Sequence, residues 1–306
     1  MPLPRLAGAV ALVLAALLLP PNDLAVTVAD PALAAQVGSG LWILKAALFF
    51  LAVLVGCWGV FRFGEGESLT ALGERVQPTR GELWAVGGFI LAGALLRLTD
   101  LGTGLWYDEI ETLVNYVRLP LGQIVTTYDS QNNHLFYSIL ARISFLIFGE
   151  SAWALRLPAA LMGIASLWAA WRFARRAGGR VEGMLVLALL TFSYQHVWFS
   201  QNARGYTGLL LFTLLGSFAF LELLGGPAER RRRDVAIYAI TMAFATWTHV
   251  TGAFVVLAHG LIWTVLSLRG GRRGRMAPLA AMVLAGFGSI LLYAPVLPQL
   301  FGTILT

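Results

Sequence analysis

The sequence predicts an all-α, polytopic membrane protein, and three observations carry that prediction. Hydrophobic residues make up 58% of the 306 and charged residues only 12%, with a mean hydropathy of +0.73. The apolar residues come in runs of about 17 to 21, the length that crosses a hydrocarbon core. The remaining charges gather between these runs, and the net charge of +6 is almost wholly arginine, Lys45 being the only lysine. Such a pattern marks topology and contact with membrane lipids, and it excludes nucleic acid as a partner. Cys57 is the single cysteine, so no disulfide and no cysteine metal site can form within one chain.

Taken in order, runs at about 6–26, 41–61, 83–99, 153–173, 182–199, 206–224, 235–250, 251–268 and 279–299 give nine expected spans. The first has a signal-like core from Arg5 to Leu19. Ala32-Leu33-Ala34 lies too far beyond Pro20 for ordinary cleavage, so a retained span is expected. Arginines cluster at Arg62/Arg75/Arg80, Arg172/Arg175/Arg176/Arg180, Arg230 to Arg233, and Arg269/Arg272/Arg273/Arg275. By the positive-inside rule all four loops are expected to be cytoplasmic, with the polar site facing outward; the expected location is a bacterial plasma membrane. The stretch 135–148 is apolar but short and carries Arg142, and crossing there would put the 172–180 loop outside. It is therefore expected to lie in the outer interface as an amphipathic helix or to be re-entrant. A linker at 64–81 suggests a division into 1–80, two leading helices, and 81–306, the functional module.

The outward segments are then 100–133, 200–205 and the turn near His249, and they hold the polar residues that can carry chemistry. Three of the six aspartates, Asp100, Asp108 and Asp129, fall in the first of them. Asp108 and Glu109 are adjacent, and Glu111 shares a helix face with Asp108. One carboxylate can act as a base while another orients a partner or binds a divalent cation, Glu109 and Glu111 being the candidate ligands; spacing alone does not assign the roles. The run from Asp129 to His134 offers directional donors and acceptors suited to sugar hydroxyls or phosphate oxygens. Gln201, Arg204 and Tyr206 follow at the outer end of a span. Arg204 breaks the charge rule there and calls for an anion, which a guanidinium binds bidentately. His249 comes to the same level from another helix pair, whereas His196 and His259 sit in apolar runs as interhelical hydrogen-bonders. No nucleotide-binding or zinc motif is present.

The order LRLTDLGTGLWYDE, QNNHLFYSILARISFLIFGESAWALRLPAALMG, FSYQHVWFSQNARGYTGLLL, WTHVTGAFVVLAHG resembles the GT-C glycosyltransferases of the protein mannosyltransferase and aminoarabinose transferase type, over about residues 83–300. The resemblance implies a GT-C-like transmembrane core whose outward first loop carries amphipathic helices. It implies an inverting transfer of a sugar from a polyprenyl-phosphate donor to an acceptor hydroxyl of a protein, lipid or glycan. Asp108 takes the place of the base with Glu109 beside it, and His134, Gln201, Arg204, Tyr206 and His249 take the places of substrate and phosphate ligands. Three departures stand out. Leu135-Phe136 follows His134 where family members often carry proline, members commonly continue beyond the last span, and the two spans before residue 80 have no clear counterpart, so a fragment, a minimal member or a subunit that no longer catalyses is also expected. The rival class, a transporter or a non-catalytic lipid-binding protein, would thread its charges through the bilayer instead of gathering them at one end.

Overall fold

A computed structural model describes residues 3–57, 76–269 and 276–305, which are mostly helical with no strand among them. Arg62, Arg75, Arg272, Arg273 and Arg275, positions 58–61 of the expected second span and 64–75 of the expected linker lie outside the described residues.

Helices α1 (Leu3–Leu18) and α2 (Pro21–Val28) meet at 73°. Pro20 and Pro21 lack the amide hydrogens that a continuous helix would use. The expected straight span at 6–26 is thus a bent pair, and Lys45 of α3 (Ala34–Cys57) donates to the Leu19 carbonyl at the break, 3.2 Å away. α4 (Arg80–Leu98) starts where the Thr79 hydroxyl accepts from Glu82 N–H at 3.2 Å, a side-chain cap that satisfies an otherwise orphaned amide. Short helices α5 (Tyr107–Thr112) and α6 (Leu121–Ile124) follow, then α7 (Leu135–Phe148) and α8 (Ala152–Ala177).

The single span expected at 182–199 is two helices, α9 (Arg180–Phe192) and α10 (Tyr194–Ser200). Ser193 between them is extended, and its hydroxyl accepts from His196 N–H at 3.3 Å. Arg97, fully buried on α4, takes up the carbonyls that the break frees: Leu190 at 2.9 Å and Thr191 at 3.2 Å. It also meets His196 Nδ1 at 2.6 Å. The chain continues through α11 (Tyr206–Gly225), α12 (Arg231–Thr248), α13 (Gly252–Arg269) and α14 (Met276–Tyr293). A tight turn at 294–296 containing Pro295 leads to α15 (Leu297–Leu305).

Against nine expected spans, six described segments are long and apolar enough to cross a membrane, and the bent pair would add a seventh. α12 falls short because Arg231, Arg232, Arg233 and Asp234 open it. It still runs 18 residues, about 27 Å, and buries Tyr238, Met242 and Ala245 in the core it forms with α11 and α14.

The helix ends sort into two levels. At the arginine end, Arg175 pairs with Glu82 at 2.7 Å, Arg180 with Glu82 at 3.4 Å, and Arg176 with Glu222 at 2.7 Å. These contacts bring together the start of α4, the end of α8, the start of α9 and the end of α11. The opposite end collects the loop 99–134, the start of α8, residues 200–206 and the α12–α13 turn. α7 begins and finishes at this second end. His134, just before it, lies 4.9 Å ring to ring from His249, and Phe148 at its close lies 5.3 Å from Trp153 in the first turn of α8. At 14 residues it is about 21 Å long, short of a hydrocarbon core. Its buried residues, Leu135, Tyr137, Ser138, Ala141, Ser144 and Phe145, recur at helical spacing against α8. α3 docks on the other flank, where its Gly40 lets the Ala294 carbonyl approach too closely for any side chain.

Candidate functional site

The site is built around a carboxylate that sequence reasoning placed beside the base. Trp106 opens α5, and Glu109 turns back so that its Oε2 accepts from Trp106 N–H at 2.9 Å. This rotates Glu109 fully inward, while the preceding Asp108 side chain remains 60% exposed. Glu109 then meets Arg156, in the second turn of α8 and also buried. Nε donates to Oε1 at 2.8 Å and Nη2 to Oε2 at 2.6 Å. Oε1 takes a further bond from Ala203 N–H at 2.6 Å. The remaining Arg156 donors reach the carbonyls of Leu101 (3.0 Å), Thr103 (3.0 Å) and Gly104 (2.9 Å). One ion pair therefore ties α8, the loop before α5 and the loop before α11 into a knot. A buried pair of this kind holds only when its other donors and acceptors are also satisfied, and here they are.

Asp108 and Arg204 are the immediate neighbours of the two knotted residues Glu109 and Ala203, and so they are brought face to face. Arg204 Nη1 lies 3.5 Å from Asp108 Oδ2, closer than the roughly 6 to 12 Å expected if a sugar and a phosphate are to lie between them. Arg204 is buried, its guanidinium carbon 5.6 Å from the centre of the Tyr206 ring and its Nη2 3.4 Å from the Tyr206 hydroxyl. Among the described residues its Nε and Nη1 have no hydrogen-bond partner. Gly205 permits this placement: a methyl group there would come within 2.8 Å of the Thr248 carbonyl and 3.3 Å of His134 Cβ.

His134 is buried behind Arg204, with the Tyr206 ring at 5.5 Å and the His249 ring at 4.9 Å. Burial, then the Arg204 charge and His249, hold its imidazole well below the usual histidine range, against a smaller opposite pull from the Thr248 carbonyl. Its Nε2 has no partner. His249 is also lowered, by burial and then by Arg204, and its Nδ1 accepts from Thr251 N–H at 3.3 Å. The Asn202 side-chain oxygen, two residues before Arg204, is a fourth buried polar atom without a hydrogen-bond partner among the described residues. Unpaired buried polar groups are costly and call for an explanation such as a ligand.

Other sequence candidates are engaged differently. The Gln201 amide donates to the carbonyls of Leu96 (2.9 Å) and Thr99 (2.8 Å), closing the end of α4. Glu111 accepts from Asn132 at 2.7 Å. Asp129 accepts from the Tyr116 hydroxyl at 2.8 Å, and burial, then this bond, push that phenol upward. A divalent cation on Glu109 and Glu111 does not fit. Both Glu109 oxygens carry two donors each, and no group of three or more metal-ligating side chains occurs among the described residues. His196 and His259 are hydrogen-bonded between helices, to Arg97 and Ser166 and to Ser217 and Tyr238.

Arg156 escaped the sequence reading although a signal was there. It lies near the same end as the acidic loop, in an apolar run, and so breaks the charge rule as Arg204 does.

The fold and this cluster define a polytopic helical membrane protein with a buried-arginine polar site at one end of its bundle. The profile of the dolichyl-phosphate-mannose-protein mannosyltransferase family matches residues 134–298, more than half of the chain. The chain belongs to that family, and is thus a membrane glycosyltransferase of the GT-C type. The match takes in His134, Gln201, Arg204, Tyr206 and His249, and begins after Asp108 and Glu109. No curated protein and no solved structure matches the chain.

Proposed function

We propose that the protein moves a sugar from a polyprenyl-phosphate carrier to an acceptor hydroxyl at the outer membrane face, with inversion at the anomeric carbon. The observation that carries this reading is Arg204: a buried guanidinium with two donor atoms lacking hydrogen bonds, 3.5 Å from an exposed carboxylate. The 3.5 Å contact is longer than a hydrogen bond, so a donor phosphate can displace it and occupy the guanidinium fork. Asp108 is then left to take the acceptor proton as the oxygen attacks. The phosphate leaves as a weak base whose charge Arg204 stabilises, with no separate acid needed. With a ring N–H of His134 on the Thr248 carbonyl, Nε2 is an acceptor for a sugar hydroxyl; His249, whose Nδ1 accepts from Thr251, presents its Nε2–H to the phosphate. The role of Glu109 and Arg156 is positioning.

Charges gathered at the two ends favour transfer at a surface over passage through the bundle. Residues 1–80 are read as a leading unit, of which α3 docks on α14 and α15, and 81–306 as the catalytic module. The test is to incubate purified, reconstituted protein with a panel of polyprenyl-phosphate sugars and acceptors and to read the anomeric configuration of the product by NMR. An inverted glycoside supports the reading; a retained configuration, or turnover of water-soluble nucleotide sugars alone, contradicts it.

A further inference from the structure

A well-formed hollow lies at the arginine end, away from the site above. A cavity of about 360 Å³ opens where α8 and α11 finish and the chain enters α4. Its wall holds four guanidinium groups, Arg172, Arg175, Arg176 and Arg230, against one carboxylate, Glu222. Counting also Glu82, which holds Arg175 from behind at 2.7 Å, leaves a formal excess of two positive charges among the described lining residues.

Two of the arginines are fixed in place. The Arg175 and Arg176 side chains are 17% and 11% exposed, each anchored through Nε at 2.7 Å to a buried glutamate. Arg172 lies 5.3 Å from the Trp168 ring centre and 5.1 Å from that of Phe218, which itself lines the cavity. Trp168 is 44% exposed on the flank of a span, and exposed tryptophan beside arginine is the arrangement found at headgroup level. A basic pocket between transmembrane helices, with aromatic surface alongside for the first acyl carbons, suits one ligand chemistry.

We propose that this cavity binds the phosphodiester headgroup of an anionic phospholipid from the leaflet at the arginine end. The site stands apart from the transfer reaction and does not depend on its assignment.

The test uses lipid-stripped, full-length protein in detergent, titrated with phosphatidylglycerol or phosphatidylcholine of equal chain length and read by native mass spectrometry. Phosphatidylglycerol is expected to be retained and phosphatidylcholine not. Arg172→Gln with Arg230→Gln is expected to weaken retention about tenfold or more. Arg232→Gln with Arg269→Gln removes the same charge from the same end outside the cavity, and is expected to change retention less than about twofold. Equal losses in the two double variants would reduce the effect to bulk charge and overturn the site. Should the cavity variant melt early, Arg230→Gln alone, at an exposed residue, is expected to weaken retention by about threefold; wild-type retention there overturns the proposal. Displacement of the lipid by an equal concentration of glycerol 3-phosphate would assign the cavity to soluble phosphate esters, and overturn the lipid assignment.

Discussion

Replacing Glu109 by glutamine is expected to loosen the site more than its conservative shape suggests. Glutamine keeps one acceptor oxygen but puts an NH2 group where Oε2 now receives Trp106 N–H and Arg156 Nη2, or where Oε1 receives Ala203 N–H and Arg156 Nε. Two of the four bonds are lost in either orientation, and the buried Arg156 charge is left facing carbonyls alone. Removing one partner of a buried ion pair costs about 3–5 kcal/mol, which lowers a melting temperature on the order of 10 °C. Transfer falls with it, because Asp108 and Arg204 are positioned through Glu109 and Ala203. The assay is a thermal melt in detergent together with sugar transfer at a temperature where the variant is folded. Glu109→Leu combined with Arg156→Met removes both charges and is expected to recover stability relative to either single change, without recovering transfer. A Glu109→Gln protein that melts within about two degrees of wild type and transfers normally would refute the knot as the positioning element.

Three further outcomes follow from the geometry. Arg204→Lys keeps the charge but not the two-pronged donor geometry, so steady-state kinetics should show the donor KM raised about tenfold. His134 and His249 are held below the usual histidine range, so the unfolded chain binds more protons than the folded one below about pH 6.5. Their contribution to stability is therefore complete above that pH and is lost as pH falls, and a pH series of melts should flatten in His134→Gln. Cysteines introduced in the 174–180 loop, in a Cys57→Ala background, should react with an impermeant thiol reagent only from the cytoplasmic side of oriented vesicles; labelling from outside would reverse the topology.

Much of the architecture was legible in the sequence because apolar run length and arginine placement are themselves the forces that set a membrane topology. The short run 135–148 was readable as non-spanning from length and Arg142. What escaped were the breaks within runs. The bend at Pro20-Pro21 was marked by its prolines. The break at Ser193 depends on Arg97 capping the freed carbonyls from another helix, a tertiary fact with no local signal. In the site, the placement of Asp108 and Arg204 at one end was legible from parity and charge, whereas their 3.5 Å contact was not. The inward turn of Glu109 was not, since adjacent carboxylates look equivalent until Arg156, 47 residues on, takes one of them. Gln201 was read for its donors, and the structure uses them on the end of α4.

The most direct test of the central claim is transfer by Asp108→Asn. The side chain is 60% exposed, outside the buried knot, and among the described residues it is paired through the 3.5 Å contact with Arg204, so the asparagine variant should fold and melt as wild type. Asparagine keeps the shape of the carboxylate but cannot accept a proton at neutral pH. Sugar transfer from a synthetic polyprenyl-phosphate donor, measured with purified protein beside a thermal melt and a donor-binding titration, is expected to drop about a hundredfold to ten-thousandfold while melting and donor binding stay near wild type. Turnover close to wild type in that variant would contradict the account.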